Sequence, residues 1–263
     1  MNIKLVIEYD GEDFHGWQRQ ISAHSTIQEE IEKALSDIAG QKITLYGAGR
    51  TDSGVHACAQ VANFSVTAPV PALKWRLALN TKLARTIRIL ESCEVKPEFH
   101  AQRKAIGKIY EYRILNRSFA SALDRRVYFW PHVLDWDKMR LAARYFVGEH
   151  DFGAFQSGKS TVKSTFRRIT RFEILQDAPT SDLYRVIVEG NGFLKQMVRN
   201  LVGTLMEVGQ NLRAPESIPE LFEGKTREYA GRAVPARGLF LVKVLYDRDW
   251  RIDGEASADE TPK

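Results

Sequence analysis

The chain has 263 residues, 44% hydrophobic and 27% charged, the balance of a globular protein with a real core rather than of a disordered one. No apolar run approaches the roughly 18 residues that a membrane span requires, and Glu8 and Asp10 interrupt the first apolar run too early for a signal peptide. The net charge of +5 is uneven: residues 103–171 hold 15 Lys/Arg against 6 Asp/Glu, a local +9 that leaves −4 for the remainder. A basic middle is what a polyanion partner would select, although charge alone also admits a solvated basic face.

Taken in order, Ile3, Leu5, Ile7 and Tyr9 alternate with polar neighbours and predict a strand over 2–9. Ser25 and Gln28 have capping-box spacing ahead of Ile27, Ile31, Leu35 and Ile38, which predicts a helix that Gly40 ends. "KITLYG" and "AQVANFSV" read as strands, "PALKWRLALNTKL" as a helix opened by proline, and "TIRILESCEV" as a strand. That order, β-α-β-β-α-β, is the ferredoxin-like pattern. The second half repeats it: strand "GKIYEYRILN", helix "DWDKMRLAARYFVG", strands "RITRFEIL" and "LYRVIVEG", the apolar helix "GFLKQMVRNLVGTLMEVG" and the strand "GLFLVKVLYD". The predicted fold class is therefore α+β, with two ferredoxin-like halves over 1–104 and 105–248 whose antiparallel sheets face a central cleft, a favoured place for a site. From Asp249 onward five acids and two bases stand among almost no apolar residues, which predicts a disordered tail over 249–263.

Several short motifs invite a ligand and fail on context. Gly47-x-Gly49 would begin a dinucleotide fingerprint, but Asp52 stands where the third glycine belongs and would repel a pyrophosphate. "GAFQSGKS", Gly153 to Ser160, satisfies the phosphate-loop pattern in full. A working phosphate loop follows a buried strand and opens a helix; here Glu149, His150 and Asp151 precede it and a β-branched, basic run follows. Asp10, Gly11, Glu12 and Asp13 begin like a calcium loop, but Phe14 breaks the ligand ladder, and a turn after the first strand accounts for them better. Six scattered histidines and two unpaired cysteines, Cys58 and Cys93, have no zinc-ligand spacing. They fit a metal-free, cytoplasmic protein in which the thiols are packed.

"YGAGRTDSGVHA" remains. In an extended loop Arg50 and Asp52 point to one face, where a guanidinium would keep the carboxylate ionised. Such a carboxylate can attack an electrophilic carbon; it can equally be half of a structural salt bridge in a turn. The residues alone leave both open.

"GAGRTDSGVHACAQVANF" closely resembles the signature of the tRNA pseudouridine synthase A (TruA) family, GAGRTDxGVHAxxQVxxF. "YDGEDFHGWQRQ", "FHAQRKAIGKIYEYRI", "GEHDFGAF", the long apolar helix and "PARGLFLVKVLY" resemble its other blocks, in family order over roughly residues 3–246. One position departs: Gln102 stands where the family has arginine. The resemblance implies a homodimeric enzyme that turns uridine into pseudouridine at about positions 38 to 40 in the anticodon stem-loop of tRNA. It implies that Asp52 is the catalytic nucleophile and that Arg50 pairs with it and helps hold the base out of the stack. Tyr110 would lie against the target base, and Arg199 close to the aspartate. Nothing is oxidised in the reaction and no atom is gained, so neither a redox cofactor nor ATP is required. Attack at C1′ or at C6 stays open. The competing class is a catalytically silent RNA-binding module in which Asp52 is only the turn's salt bridge; Tyr110 could likewise be a core aromatic, a role that Tyr112 fills more readily.

Overall fold

A computed structural model of the chain describes residues 1–20, 25–67, 70–158, 162–224 and 226–252. It forms two compact units, one of Met1–Ile106 with Leu241–Lys263, the other of Gly107–Phe240. The sequence reading divided the chain after 104 and 248; the units divide after Ile106 and Phe240, so the last strand groups with the first unit.

In the first unit, β1 (Asn2–Tyr9) buries Ile3, Leu5, Ile7 and Tyr9, the alternation its sequence predicts. Helix α1 (Ile27–Ala39) starts one residue later than the capping pattern suggested: Thr26, not Ser25, caps it, accepting from the Glu29 amide at 3.4 Å. Gln28 is drawn inward instead, donating to the Leu45 carbonyl at 2.9 Å and accepting from the Arg19 amide at 2.9 Å. Gly40, at φ 65°, closes the helix as expected. The run "KITLYG" pairs only over β2 (Tyr46–Gly47), on β3 (His56–Ser65). β1 holds one edge of β3, and the final strand β10 (Leu239–Tyr246) takes the rest of the other, so little edge is left for β2. Helix α2 (Lys74–Lys82) and β4 (Ile87–Val95) follow, with Trp75 edge-on to Phe64 of β3 at 5.1 Å. The strand order of this unit is β4-β1-β3-β10.

The second unit opens with β5 (Ala105–Asn116) and a short β6 (Tyr128–Trp130) beside it. Helix α3 (Trp136–Arg144) turns Met139, Ala142 and Ala143 inward, as its spacing predicts. Then come β7 (Gly148–Asp151), β8 (Phe166–Gln176) and β9 (Leu183–Gly190), in the order β5-β9-β8-β7. Helix α4 (Met197–Gly209) begins later than the apolar run, because Gln196 lies in the left-handed region at φ 57°. The architecture is α+β, with four α-helices among the described residues. The segment after Asp249 is not all tail: Trp250 is buried, centred 5.9 Å from Phe99, and Arg251 bridges to Val95. One large apolar side chain, with the cations of Lys104 and Arg248 over its ring, is enough to dock a segment whose composition is otherwise polar. Residues 253–263 lie outside the described part.

The strand that leads into the GRTD loop is tied to α1 by one buried carboxylate. Glu32 Oε1 accepts from the Leu45 amide at 3.0 Å and from Gln28 Nε2 at 3.3 Å, and Oε2 accepts from Arg19 at 2.9 Å. Glu32→Ala strands the buried Leu45 amide, a loss of about 1–3 kcal/mol. A shift of the urea midpoint at unchanged slope will measure it.

Candidate active site

The loop from Ala48 to Val55 leaves β2 and enters β3, held at both ends. The Ala48 amide donates to the Val61 carbonyl at 2.7 Å, and Gln60 Nε2 donates to the Gly49 carbonyl at 2.9 Å. Past Arg50 the chain turns sharply: the Val55 amide donates to the Asp52 carbonyl at 3.1 Å, with Gly54 at φ 77°. A positive φ at the third position of a four-residue turn is what glycine supplies at least cost. So the glycine after the acid makes a turn and not a phosphate cradle.

The turn after β1 forms the bed of this loop. The Trp17 amide donates to the Thr51 carbonyl at 3.1 Å, while the Phe14 carbonyl accepts from Ser53 Oγ at 3.1 Å and the Gly54 amide at 3.4 Å. Below, the Tyr9 hydroxyl and Thr51 Oγ1 share a hydrogen bond of 2.8 Å; burial raises the Tyr9 pKa well above its ordinary value. The two segments approach backbone to backbone. A Cβ on Gly11 would lie 2.0 Å from the Val55 carbonyl oxygen, and one on Gly16 2.6 Å from that of Thr51. This use of "YDGEDFHGW" is invisible in sequence, because the residues it touches lie roughly 40 positions downstream. The acidic start of that segment serves the turn: Asp10 Oδ1 accepts from the Glu12 amide at 3.2 Å and lies 2.9 Å from His56 Nδ1.

On this bed Asp52 is half-buried and Arg50 exposed. Arg50 makes no ion pair among the described residues.

The other two predicted residues lie in the second unit. Tyr110, on β5, is 7% exposed and sits edge-on to Phe193 at 5.0 Å. Tyr112, two residues on, is 0% exposed; its hydroxyl donates to the Pro235 carbonyl at 2.8 Å, and burial pushes its pKa well up. Of the two, only Tyr110 keeps any surface to offer a ligand. Arg199, in the first turn of α4, is clasped by Val234: its Nε donates to the Val234 carbonyl at 2.7 Å, and its own carbonyl accepts the Val234 amide at 3.2 Å. That segment lies so close because Gly203 and Gly231 leave room; a Cβ on Gly203 would fall 1.7 Å from the Arg232 carbonyl oxygen.

The phosphate-loop decoy has no supporting context among the described residues. Gly153–Phe155 is a single 3₁₀ turn, and the next element is strand β8. "GEHD" does form a strand, β7, but at the end of the strand order, where charged side chains are tolerated; the prediction erred only in finding no strand there. Lys159 lies outside the described residues. Cys93 is buried and Cys58 half-buried.

A family model described as tRNA pseudouridine synthase matches residues 5–102 and 142–247. The chain belongs to the tRNA pseudouridine synthase family. It is 47% identical over 246 residues to a tRNA pseudouridine synthase A of Acetivibrio thermocellus, covering 93% of this chain and 99% of that protein. It is 46% identical to the one from Clostridium acetobutylicum with the same coverage, and 41% to that of Methylococcus capsulatus over 100% of this chain and 96% of that one. A solved Cbf5-Nop10-Gar1 complex aligns at 15% identity over 78% of this chain and 45% of its own, with a TM-score of 0.36. As a member of the family the protein is an isomerase that acts on tRNA. No helix among the described residues is long and apolar enough to cross a membrane.

Gly16 is constrained twice over, with φ 85° and no space for a side chain against Thr51 and Asp52. Gly16→Ala is expected to displace the GRTD loop and to cut turnover at least about tenfold, read by pseudouridine formation on tRNA, with the far-UV circular dichroism spectrum preserved.

Proposed function

We propose that this synthase isomerises uridine at about positions 38 to 40 in the anticodon stem-loop, with Asp52 as the nucleophile. The observation that carries the assignment is the turn itself. Hydrogen bonds on both sides fix Thr51, Ser53, Gly54 and Val55, and the carboxylate between them stays half-open to a substrate. A structural salt bridge would need no such bed. The tRNA positions, a homodimeric state and a cytoplasmic location are supported by the family resemblance.

The chemistry breaks the N1–C1′ bond, turns the detached uracil, joins C5 to C1′ and then moves the C5 proton, N1 ending protonated. Asp52 adds to C1′ or to C6 and is regenerated. Either attack needs the uridine out of its stack, at a cost of a few kcal/mol. Arg50, exposed and without an ion pair among the described residues, is suited to fill the gap left in the stem. Tyr110 stacks on the extruded base, worth about 1–3 kcal/mol, and Arg199 provides positive charge for the carboxylate. Exposed cations of the basic segment meet phosphates, which orient the tRNA rather than specify sequence. Arg168 is the fittest of its neighbours, since Arg167 is spent on the Ser164 and Phe166 carbonyls and Arg171 on Glu173 at 2.7 Å.

Asp52→Asn is expected to abolish release of label from tRNA carrying tritium at C5 of uridine, with tRNA affinity held within a few-fold because phosphate contacts dominate it. Turnover by the variant, shown free of deamidation, would overturn Asp52 as the nucleophile, whereas no label release by the unaltered protein would favour the silent RNA-binding module. Tyr110→Phe keeps the ring and removes the hydroxyl. If that oxygen takes the C5 proton, the single-turnover rate falls about 10²–10⁴-fold at unchanged affinity. Tyr112→Phe is the control: it leaves the rate alone and lowers stability by about 1 kcal/mol for the lost bond to Pro235.

A further inference from the structure

Beneath the GRTD loop lies a polar cluster that the reaction as described does not use. His56, the first residue of β3, is 1% exposed, and Asp10, just past the end of β1, has a side chain 23% exposed. His56 Nδ1 lies 2.9 Å from Asp10 Oδ1 and 3.1 Å from the Gly11 amide nitrogen. One ring nitrogen cannot serve both contacts. If Nδ1 is bare, it accepts the amide but turns its lone pair on a carboxylate oxygen at closer range. If Nδ1 carries the proton, it donates to Asp10. The second bond is charge-assisted and is also the shorter of the two, so the proton belongs on Nδ1.

The consequence is mechanical. Asp10 and Gly11 open the turn that forms the bed of the loop, and His56 directly follows Val55, the last residue of the loop. The turn touches the loop at Thr51 through Trp17, at Ser53 and Gly54 through Phe14, and at Val55 through Gly11. These contacts bracket Asp52 on both sides, and their register depends on how the start of the turn is fastened to the start of β3. That fastening is Asp10–His56. Both residues belong to the first unit, as does the Tyr9–Thr51 pair that lies beneath the same loop.

We infer that His56 and Asp10 are positioning residues for Asp52: a donor on His56 Nδ1, held by the Asp10 carboxylate, locks the turn against the GRTD loop and sets the pose of the nucleophile. The inference rests on Asp52 being the nucleophile. It predicts a loss in the chemical step rather than in RNA binding, because a displacement of about 1 Å at a reacting group can cost 10²-fold.

The test measures the single-turnover rate and the tRNA Kd for Asp10→Ala, His56→Leu and His56→Asn, with Asp52→Asn beside them. In His56→Asn the side-chain amide nitrogen falls near the place of Nδ1 and can donate to Asp10. Asp10→Ala and His56→Leu are expected to lower the rate about 10- to 100-fold with Kd within about twofold, and His56→Asn to recover most of it. Unchanged rates in both disrupting variants, beside an inactive Asp52→Asn, would overturn this inference alone. So would parallel falls in rate, affinity and melting temperature without recovery by asparagine, the mark of a packing role. A fully active Asp52→Asn would instead overturn the nucleophile assignment and, with it, this inference. Should the variants not fold, long-range ¹H–¹⁵N spectra of the intact protein decide: a proton on His56 Nδ1 is expected, and a neutral ring protonated only at Nε2 overturns it.

Discussion

The close approach of two backbone segments, 10–17 and 50–55, is the constraint on which the site depends. At 2.0 Å from the Val55 carbonyl to where a Gly11 Cβ would stand, no side chain fits between them. A side chain at Gly11 or Gly16 would separate the segments and break the amide-to-carbonyl bonds that hold the loop. The rigidity of the acid's surroundings therefore comes from main-chain geometry, which is not softened by rotamer freedom. Catalysis by a fixed carboxylate asks for this, since its orientation is set before the substrate arrives.

How much of this could be read from the sequence depended on the range of the interactions. Local periodicity was enough for β1, α1, α3 and the two long strands β8 and β9, whose apolar faces follow from spacing alone. It failed where another part of the chain decides. β2 is short because β10 competes for the same edge of β3, and the residues of "KITLYG" carry no sign of that competitor. α4 starts at Met197 because Gln196 takes a left-handed conformation, whereas its apolar run begins earlier. Trp250 anchors a segment that composition assigns to a tail.

For the site, the position of Asp52 in a glycine turn was legible, since Gly54 follows it at the spacing such a turn needs. The separation of Tyr110 from Tyr112 was legible only as a preference; the bond from Tyr112 to Pro235 turns it into a distinction. The pairing of Arg50 with Asp52 was legible only as two opposite charges two residues apart, a spacing that a salt bridge and a catalytic site share. What sequence could not supply was the meeting of "YDG" with "GVH", since a pair contact between distant segments has no local signal in a single chain.

The outermost strands carry a last consequence. An open sheet edge is a row of unpaired amides and carbonyls that can recruit a strand from another molecule. In the first unit Arg251 bridges to Val95 of β4, and the Ile252 amide bonds to the Glu94 carbonyl, so residues 251–252 lie over that border. In the second unit β7 ends the order with Glu149, His150 and Asp151. A four-residue strand bearing two acids gives a passing strand little to zip onto and repels a copy of itself. The residues that spoil a nucleotide-binding motif thus make this sheet border a poor template for a strand from another molecule.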